Sequence, residues 1–329
     1  MQEDVVSLLK KLVSIPSLTG NEQNMCREVF DLLTNVGFKT AQNPVSDDRF
    51  NVIASLGTPK VYLSAHLDTV SPYLPLKETT THLYGRGSCD TKSCVSAMIT
   101  AGIKCKKDGL SDFGLIFTVG EEGDFDGAKK IKESGIKLPF IIVGEPTSLD
   151  IVNGHFGILI IKIIAKGKAV HSSRPEEGIN AIDKLIEAIG KIKSIPLYPN
   201  SLMSLVIISG GIADNIIPAE SDCIFSFRIH PQDKNDYQKI IKSTIGSKFK
   251  VEKILDASSV YSEIPEELSF IKNNRIVKYG TDLSILKNGV VIGPGDIKYA
   301  HSDNEQIKKS ELIRAVDTYC QIIKNFVLK

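Results

Sequence analysis

Several features that would place this chain in a specialised class are missing from its sequence. The six cysteines form no Cys-x-x-Cys pair and have no disulfide-like spacing, which argues against a disulfide-stabilised secreted protein and predicts reduced thiols in the cytoplasm. No apolar run approaches the roughly 20 residues of a membrane span, and the acidic start Met1-Gln2-Glu3-Asp4 is unlike a signal peptide. A net charge of +1 argues against nucleic acid or an anionic membrane as the main partner.

What is present is the composition of an ordinary globular protein. Of the 329 residues, 42% are hydrophobic and 24% are charged, as in typical soluble domains. At this length roughly two domains are expected. Function must therefore be inferred from local patterns.

Short apolar runs of the kind that form buried strands repeatedly end in histidine or acidic side chains. Residues 61–65 are followed by His66-Leu67-Asp68, and residues 114–119 by Gly120-Glu121-Glu122-Gly123. Residues 140–143 lead into Gly144-Glu145-Pro146, and residues 290–292 lead through Gly293-Pro294-Gly295 to His301. Between the first two runs, the segment Gly85-Arg86-Gly87-Ser88-Cys89-Asp90 precedes a predicted helix.

These side chains are expected to meet at one edge of a sheet, because the carboxyl ends of the strands line the ligand crevice in open α/β folds. Asp68 would face the same side as His66 in extended geometry and could accept its second ring proton, which would fix the imidazole for metal binding. Nitrogen and oxygen ligands suit divalent zinc, manganese or cobalt. The sequence therefore predicts a metal centre with two imidazoles and four carboxylates, namely His66, Asp90, Glu121, Glu122, Glu145 and His301.

The hydrophobic periodicity predicts two architectures along the chain. In the first part, helical stripes alternate with apolar strands, which indicates an α/β fold with a mostly parallel sheet and helices on both faces. Residues 155–256 follow the order strand, helix, strand, strand, helix, strand of a ferredoxin-like (βαββαβ) α+β domain. The alternation of helices and strands then resumes, and His301 lies in this last part of the chain. Residues 1–154 and 257–329 are accordingly predicted to form the catalytic domain, and residues 155–256 an inserted second domain.

The motifs resemble those of the M20 family of dinuclear zinc amidohydrolases and peptidases. Within that family, three features look closest to acetylornithine deacetylases: the Gly-x-Cys-Asp-x-Lys pattern, Gly-Glu-Pro-Thr-Ser, and the Gly-Pro-Gly loop before Ala300-His301. Ser93 departs from the glycine that the family usually has after the lysine. The matching segments occur in the family's order and cover nearly the whole chain: Ser64-Ala65-His66-Leu67-Asp68-Thr69-Val70, Gly85-Arg86-Gly87-Ser88-Cys89-Asp90-Thr91-Lys92, Gly120-Glu121-Glu122-Gly123, Gly144-Glu145-Pro146-Thr147, His171-Ser172-Ser173-Arg174-Pro175, and Gly293-Pro294-Gly295 with His301.

The resemblance implies a role for each member of the predicted set. Asp90 would bridge two zinc ions, for which cobalt or manganese could substitute. His66 and Glu145 would complete one metal site, and Glu122 and His301 the other. Glu121 would be the general base, and Asp68 is counted with it among the catalytic residues. The resemblance also implies a cis peptide bond after Asp90.

Chemical reasoning agrees with these roles. Two metals can activate a water molecule and polarise an amide carbonyl, and a free carboxylate must then move the proton to the leaving amine. Neighbours on a regular strand point to opposite faces, so Glu121 and Glu122 need a change of backbone direction to serve one site. The flanking glycines, Gly120 and Gly123, permit that change.

Residues outside the metal set are predicted to bind the substrate. His171, in a polar turn of the inserted domain, is the candidate donor to the tetrahedral intermediate. The resemblance implies that it reaches the active site of the other subunit of a homodimer, which would form through the inserted lid and dimerisation domain. Arg228 can bind a substrate carboxylate with two parallel hydrogen bonds. Asn215 and the backbone of Gly295 are further contacts that the resemblance implies.

The sequence thus predicts a cytoplasmic, zinc-dependent enzyme of amino-acid biosynthesis that hydrolyses the amide of a small N-acyl amino acid, N-acetylornithine foremost. Three alternatives use the same metal core: a succinyl-diaminopimelate desuccinylase, a hydrolase of another N-acyl-lysine or N-acyl-ornithine, and a metallo-dipeptidase. An alternative of another class is a catalytically silent protein that binds an amino acid or a metal. The intact ligand set, including Glu121, argues against that last reading.

Overall fold

The computed structural model describes residues 4–46 and 48–329 of the chain. These residues form two compact units. The first unit holds the chain up to Gly154 together with Tyr261–Ile276 and Thr281–Lys329, and the second holds His155–Val260 and Val277–Gly280. The assignment of residues 1–154 and 257–329 to a catalytic domain, and of residues 155–256 to an inserted domain with a separate role, stays a prediction.

Strands and helices are numbered separately in chain order. The strands are β1 (Lys39–Ser46), β2 (Arg49–Leu56), β3 (Val61–His66), β4 (Lys77–Glu78), β5 (His82–Tyr84), β6 (Phe113–Thr118), β7 (Ile141–Val143), β8 (Ile151–His155), β9 (Gly157–Lys166), β10 (Val170–His171), β11 (Leu202–Gly210), β12 (Ile216–Ile217), β13 (Glu220–Ile229), β14 (Phe249–Ala257), β15 (Val260–Tyr261), β16 (Asn274–Val277), β17 (Gly289–Val291) and β18 (Gln306–Lys308). The α-helices are α1 (Val5–Val13), α2 (Gln23–Asn35), α3 (Lys92–Lys107), α4 (Asp126–Glu133), α5 (Ala181–Lys193), α6 (Tyr237–Ile245), α7 (Leu283–Leu286) and α8 (Lys309–Val327).

The largest sheet has nine strands in the order β1-β2-β6-β3-β7-β17-β8-β15, with β16 beside β8. Its centre is parallel, because β3 pairs in parallel with β6 and β7, and β17 with β7. Every residue of β3 and β6 is buried, as expected for strands that are covered on both faces. This arrangement confirms the predicted fold class.

The outer strands are antiparallel. β2 pairs antiparallel with both β1 and β6, and β8 pairs antiparallel with β17. β2 and β3 are therefore not direct partners although only four residues separate them along the chain, since β6 lies between them. The apolar pattern of a strand does not specify which neighbour it pairs with.

The helices of the first unit begin and end where local chemistry directs. Asp4 caps α1 by accepting hydrogen bonds from the amides of Val6 and Ser7. Gly37, with a φ of 81°, follows the end of α2, where a left-handed residue commonly ends a helix. The buried faces of α2, α3 and α8 contribute to one hydrophobic core with the central strands, including Met25, Met98 and Tyr319.

The second unit contains a four-stranded antiparallel sheet in the order β11-β13-β9-β14. Buried and half-buried residues alternate along β9, so one face of the sheet forms a core with α5 and α6. Asn180 caps α5 through the amides of Ile182 and Asp183. The chain order β9-α5-β11-β13-α6-β14 is the predicted ferredoxin-like order.

The parallel centre of the large sheet determines where the predicted ligands lie. His66 is the last residue of β3, Glu121 follows β6 by three residues, and Glu145 follows β7 by two. Since β6, β3, β7 and β17 run parallel as direct neighbours, their carboxyl ends meet at one sheet edge. This is the edge at which open α/β folds bind ligands.

Candidate metal centre

The imidazole of His66 is buried at the end of β3 and is held in one orientation. Its Nδ1 lies 2.9 Å from the main-chain oxygen of Asp68. A carbonyl oxygen only accepts, so Nδ1 carries the proton and Nε2 presents its lone pair. Nε2 faces carboxylates, with Oδ1 of Asp90 at 3.2 Å and Oε1 of Glu145 at 3.9 Å.

The carboxylate of Asp68 has a different partner from the predicted one. The sequence predicts that it accepts the ring proton of His66, but the carbonyl does so, and Oδ1 lies 3.5 Å from Nδ1. The carboxylate instead accepts the amides of Glu121 at 3.1 Å and Glu122 at 3.0 Å, and the hydroxyl of Thr19 at 2.9 Å. Asp68 is buried, and it holds the loop that carries both glutamates.

Asp90 lies between the two histidines. Its Oδ1 is 3.2 Å from Nε2 of His66, and its Oδ2 is 3.3 Å from Nε2 of His301. The peptide bond between Asp90 and Thr91 is cis, as the resemblance implies. Each carboxylate oxygen thus faces a different imidazole, which is the arrangement that a bridging ligand requires.

The Glu121-Glu122 pair lies in a turn beyond β6 rather than on the strand. Gly120 has a φ of 72°, and a Cβ there would lie 1.9 Å from Oδ1 of Asp126, so the position requires glycine. Oε1 of Glu122 lies 2.7 Å from Nε2 of His301. No hydrogen bond of the Glu121 carboxylate is found among the described residues, which leaves that group available to a bound molecule.

Glu145 follows β7 directly after Gly144. A Cβ on Gly144 would lie 2.7 Å from side-chain atoms of both Cys94 and Met98 on α3, so glycine lets the helix approach the end of the strand. Oε1 of Glu145 is buried and has no hydrogen-bond partner among the described residues. A buried carboxylate oxygen without a donor is destabilising unless a cation or a proton compensates it.

His301 completes the cluster from the loop after β17. It has a left-handed φ of 59° and a half-exposed side chain, in contrast to the buried His66. Ligand atoms of His66, Asp90 and Glu122 all lie within 4.8 Å of one another, close enough to surround an ion. Together with the buried oxygen of Glu145, this donor set of imidazole and carboxylate fits divalent metals.

The pKa values report crowding of like charges. Burial, together with the charge of Glu145, raises the pKa of Glu121 well above its usual value. Burial likewise raises the pKa of Glu145 and of Glu122. Hydrogen bonds with Asp90 and Glu122 raise the pKa of His301 to about 10. Metal ions therefore compete with protons for these side chains.

The pKa values of two other carboxylates, Asp90 and Asp68, are lowered instead of raised. Burial alone would raise the pKa of Asp90, but the neighbouring imidazoles of His301 and His66 hold it below its ordinary value. Burial also opposes ionisation of Asp68, yet His66, Thr19 and the Glu122 amide lower its pKa. These two groups are the anionic centres around which the other side chains are arranged.

The predicted substrate contact at Gly295 is largely used within the chain. Its amide donates to Oε1 of Glu311 at 2.9 Å, and its carbonyl accepts from the amide of Ser148 at 2.7 Å. The amide of Gly295 is therefore not a free donor in this structure. Its carbonyl also accepts from the hydroxyl of Ser148 at 3.3 Å, so both polar groups of the Gly295 backbone are engaged within the chain.

His171 and Asn215 lie together in the second unit. β10 and β12 pair antiparallel, with His171 opposite Ile216, and the amide of Ser172 donates to the carbonyl of Asn215. Nδ1 of His171 accepts from the amide of Ser173 at 3.2 Å, so the neutral ring carries its proton on Nε2. His171 is exposed and presents that N–H as a donor.

Arg228 lies on β13, opposite Leu202 and Ile158 of the neighbouring strands. Its Nη1 is buried and makes no hydrogen bond to the described residues. Burial lowers the pKa of this guanidinium, which still remains charged at any physiological pH. Nη1 of Arg228 is thus a cationic donor without an acceptor among the described residues, and the predicted role in binding a carboxylate stays a prediction.

Sequence reasoning missed the residues that hold the ligand loops. Thr19 supports Asp68, and Glu305 accepts hydrogen bonds from three amides of the loop that carries Asp90. Glu305 follows His301 by four residues, and its own acidity in a loop gave no distinguishing signal.

Histidines and carboxylates thus meet at the carboxyl edge of an α/β sheet, as in a metal-binding site. The chain matches the model of Peptidase family M20/M25/M40 over residues 62–325. It is 30% identical over 381 residues to a probable carboxypeptidase of Aspergillus flavus, covering 97% of this chain and 86% of that protein. The chain therefore belongs to peptidase family M20/M25/M40.

Solved structures agree with the fold. A tripeptidase from Staphylococcus aureus superposes with a TM-score of 0.85 at 23% identity, covering 99% of this chain and 98% of that one. A dinuclear metal-binding peptidase of the M20 family from Bacillus subtilis gives a TM-score of 0.73 at 14% identity, covering 98% of each chain. At these identities the likeness concerns the fold alone.

Two further sequence predictions concern the surroundings of the protein. Among the residues described, no helix is both long and apolar enough to cross a bilayer. All six cysteines lie in the described part of the chain and carry free thiols. The cytoplasmic location stays a prediction.

Proposed function

We propose that this protein is a dinuclear zinc amidohydrolase that cleaves the amide of an N-acyl amino acid, with N-acetylornithine as the first substrate to test. The placement of Asp90 carries the proposal, because its two oxygens face two different imidazoles at 3.2 and 3.3 Å. A carboxylate between two histidines is the ligand geometry of a pair of bridged cations.

The surrounding donors divide into two sets that share Asp90. His66 and Glu145 would hold one ion, and His301 with Glu122 would hold the other. The unpartnered oxygen of Glu145 and the crowded carboxylates fit such ions, since a cation offsets the charge that burial makes costly. When bound, two zinc ions would activate a water molecule and polarise the amide carbonyl, and cobalt or manganese could substitute.

Glu121 moves the proton in this proposal. Its carboxylate has no hydrogen-bond partner among the described residues, and Asp68 fixes the loop that carries it. It would take a proton from the attacking water and return it to the leaving nitrogen. Asp68 acts on the reaction through this loop and through the orientation of His66, without touching the substrate.

The second unit would bind the substrate. His171, with its proton on Nε2, would donate to the oxygen of the tetrahedral intermediate. The unpaired Nη1 of Arg228 would bind the α-carboxylate, and Asn215 lies beside His171 on the paired strand. Each of these roles remains a proposal.

We also propose that the protein is a homodimer in which His171 serves the other subunit. Exposed apolar side chains on β11, an edge strand of the second unit, support an association surface there; they are Val206, Ile207 and Ile208. Such a dimer would need both chains for each active site.

Mixing two inactive variants tests this arrangement. If His171 acts in trans, Glu121→Ala and His171→Ala chains should together regain about a quarter of the wild-type activity at statistical mixing in a two-fold dimer. One of the two sites in each mixed dimer then holds both an intact Glu121 and an intact His171. Hydrolysis rates are measured after subunit exchange has been demonstrated by mass spectrometry of differently tagged chains. An absence of rescue in exchanged dimers would place His171 in its own subunit's site or outside catalysis.

A second candidate function is peptide hydrolysis, which the name of the A. flavus relative favours. A carboxypeptidase and an N-acyl amino acid hydrolase cleave the same bond, since in both the leaving amine belongs to an amino acid with a free α-carboxylate. They differ only in the acyl part. A metallo-dipeptidase would also need to recognise a free amino group on that part.

A panel of zinc-loaded hydrolysis assays separates these functions. It comprises N-acetyl-L-ornithine, N-succinyl-diaminopimelate, an N-acyl-lysine, an N-blocked dipeptide and a free dipeptide, with chelator-treated protein as the control. We expect chelator-sensitive turnover of N-acetyl-L-ornithine. Preference for the N-blocked dipeptide would instead assign a carboxypeptidase, and preference for the free dipeptide a dipeptidase. Silence on every member with metals loaded would favour a binding protein.

A further inference from the structure

A buried carboxylate that the proposed chemistry does not use lies beneath the loop carrying Asp90. Glu305 is 1% exposed. Its Oε1 accepts three hydrogen bonds from main-chain amides, those of Gly87 at 2.9 Å, Cys89 at 3.0 Å and Asp90 at 3.0 Å. Three amides that converge on one oxygen fix the course of the loop up to Asp90 itself.

The second oxygen of Glu305 is paired with Arg86. Nη1 of Arg86 lies 2.7 Å from Oε2, and the two side chains are 2% and 0% exposed. Arg86 also donates to the carbonyls of Ser302 and Pro72, at 3.3 and 3.1 Å. Removing one partner of such a buried pair leaves an uncompensated charge, so the pair acts as a unit.

This pair joins the two loops that carry Asp90 and His301. Arg86 belongs to the first loop and bonds to Ser302, the neighbour of His301, while Glu305 belongs to the second loop and bonds to Asp90. The amide of Gly85 donates to the carbonyl of Glu305 at 3.1 Å, and the adjoining strands β5 and β18 pair antiparallel. The two segments are thus bound to each other through the residues that lead up to Asp90 and those that follow His301.

We propose that Glu305, paired with Arg86, is a positioning residue that sets the distance between Asp90 and His301. It thereby determines the affinity of the metal position that includes His301, here called the second position; the first position is the one that includes His66. The inference rests on the dinuclear site of the proposed function. Glu305 touches neither the metals nor the substrate; it acts through the backbone of Asp90 and the loop of His301.

The effect should be confined to one of the two positions. Both positions share Asp90, but the other two ligands of the first position are held by the central sheet, since His66 ends β3 and Glu145 follows β7. His301 lies in a loop with a half-exposed side chain, and its Nε2 reaches Asp90 and Glu122 only if that loop keeps its place. Loss of the Glu305–Arg86 pair should therefore spare the first ion and release the second.

Metal titration of the full-length protein tests this. Chelator-treated wild type, Glu305→Ala and Glu305→Gln are titrated with Zn²⁺ by calorimetry, and Co²⁺ absorption reports the geometry of each position. Loss of a residue that orients a metal ligand typically weakens binding about 10–100-fold, so we expect the second binding event of Glu305→Ala to weaken by that amount and the first to be unchanged. Glu305→Gln keeps an oxygen for the amides but not the charge opposite Arg86, and should lie between the two.

Asp233→Ala is the matched control. Asp233 is a buried carboxylate of the second unit with a comparable set of hydrogen bonds, from Ser201, Tyr237 and Asn235. It should be destabilised to a similar degree while binding both ions as wild type does. If Glu305→Ala does not fold by circular dichroism, Glu305→Gln and Arg86→Lys carry the test.

The outcomes separate this inference from the proposed function. A wild-type protein that binds fewer than two ions contradicts the dinuclear site itself. Wild type that binds two ions, with folded Glu305 variants that bind both equally well, overturns the positioning role. Loss of both ions in Glu305→Ala would also overturn it, because the Glu305–Arg86 pair would then stabilise the whole metal centre and not the Asp90–His301 distance in particular.

Discussion

Zinc-loaded Glu121→Ala protein is expected to lose roughly 10²–10⁴-fold in kcat, the usual contribution of a general acid–base, while retaining both metal ions. The reason is geometric. Asp68 accepts the amides of both Glu121 and Glu122, yet only Glu122 contacts an imidazole, at 2.7 Å from His301. The carboxylate of Glu121 is left for the reacting molecule. Hydrolysis rates and metal content by mass spectrometry are measured on the same sample.

Two further variants make the Glu121 result specific. Glu121→Gln keeps the size of the side chain but cannot take a proton, and it should be as inactive as Glu121→Ala. Asp124→Asn changes an exposed acid of the same loop that pairs with Lys129, and it should leave the rate unchanged. If Glu121→Ala loses metal in proportion to activity, Glu121 is a ligand and another group is the base.

Much of the fold and the convergence of the candidate ligands were predictable from local patterns. His66, Glu121 and Glu145 each follow an apolar run, and such runs form parallel strands whose ends meet at one edge. The order of strands and helices predicted for residues 155–256 is the order that the structure has. These features depend on residues that are close in the chain.

The contacts that hold the candidate site were not predictable, because they join segments that are far apart. Glu305 bonds to the Asp90 amide across 215 positions, and Asp68 bonds to the Glu121 amide across 53. A backbone amide has no sequence signature, so an acid that accepts from one is indistinguishable from a solvated acid. For the same reason the carboxylate of Asp68 was assigned to the nearby His66, whereas the loop beyond β6 engages it.

Substitution of Asp90 by alanine is expected to remove both metal ions, in contrast to substitution of either terminal carboxylate. Asp90 is the residue of the cluster whose two oxygens face both imidazoles, at 3.2 and 3.3 Å. Glu145→Ala should weaken only the position that includes His66, and Glu122→Ala only the position that includes His301. The affinity lost in Asp90→Ala should exceed the roughly 100-fold upper range for residues that merely orient a ligand.

The order of these three variants tests the bridge itself. Zn²⁺ stoichiometry after dialysis against a weak chelator should be two for wild type, one for each terminal variant and near zero for Asp90→Ala, with turnover following the same order. The bridge matters most because two adjacent cations repel each other, and an anion between them offsets that repulsion. Asp90 is suited to this role, because its pKa is lowered whereas burial raises the pKa of Glu122 and Glu145. An Asp90→Ala protein that keeps one tightly bound ion would show that Asp90 is a terminal ligand of a single metal, and the two-metal chemistry would have to be abandoned.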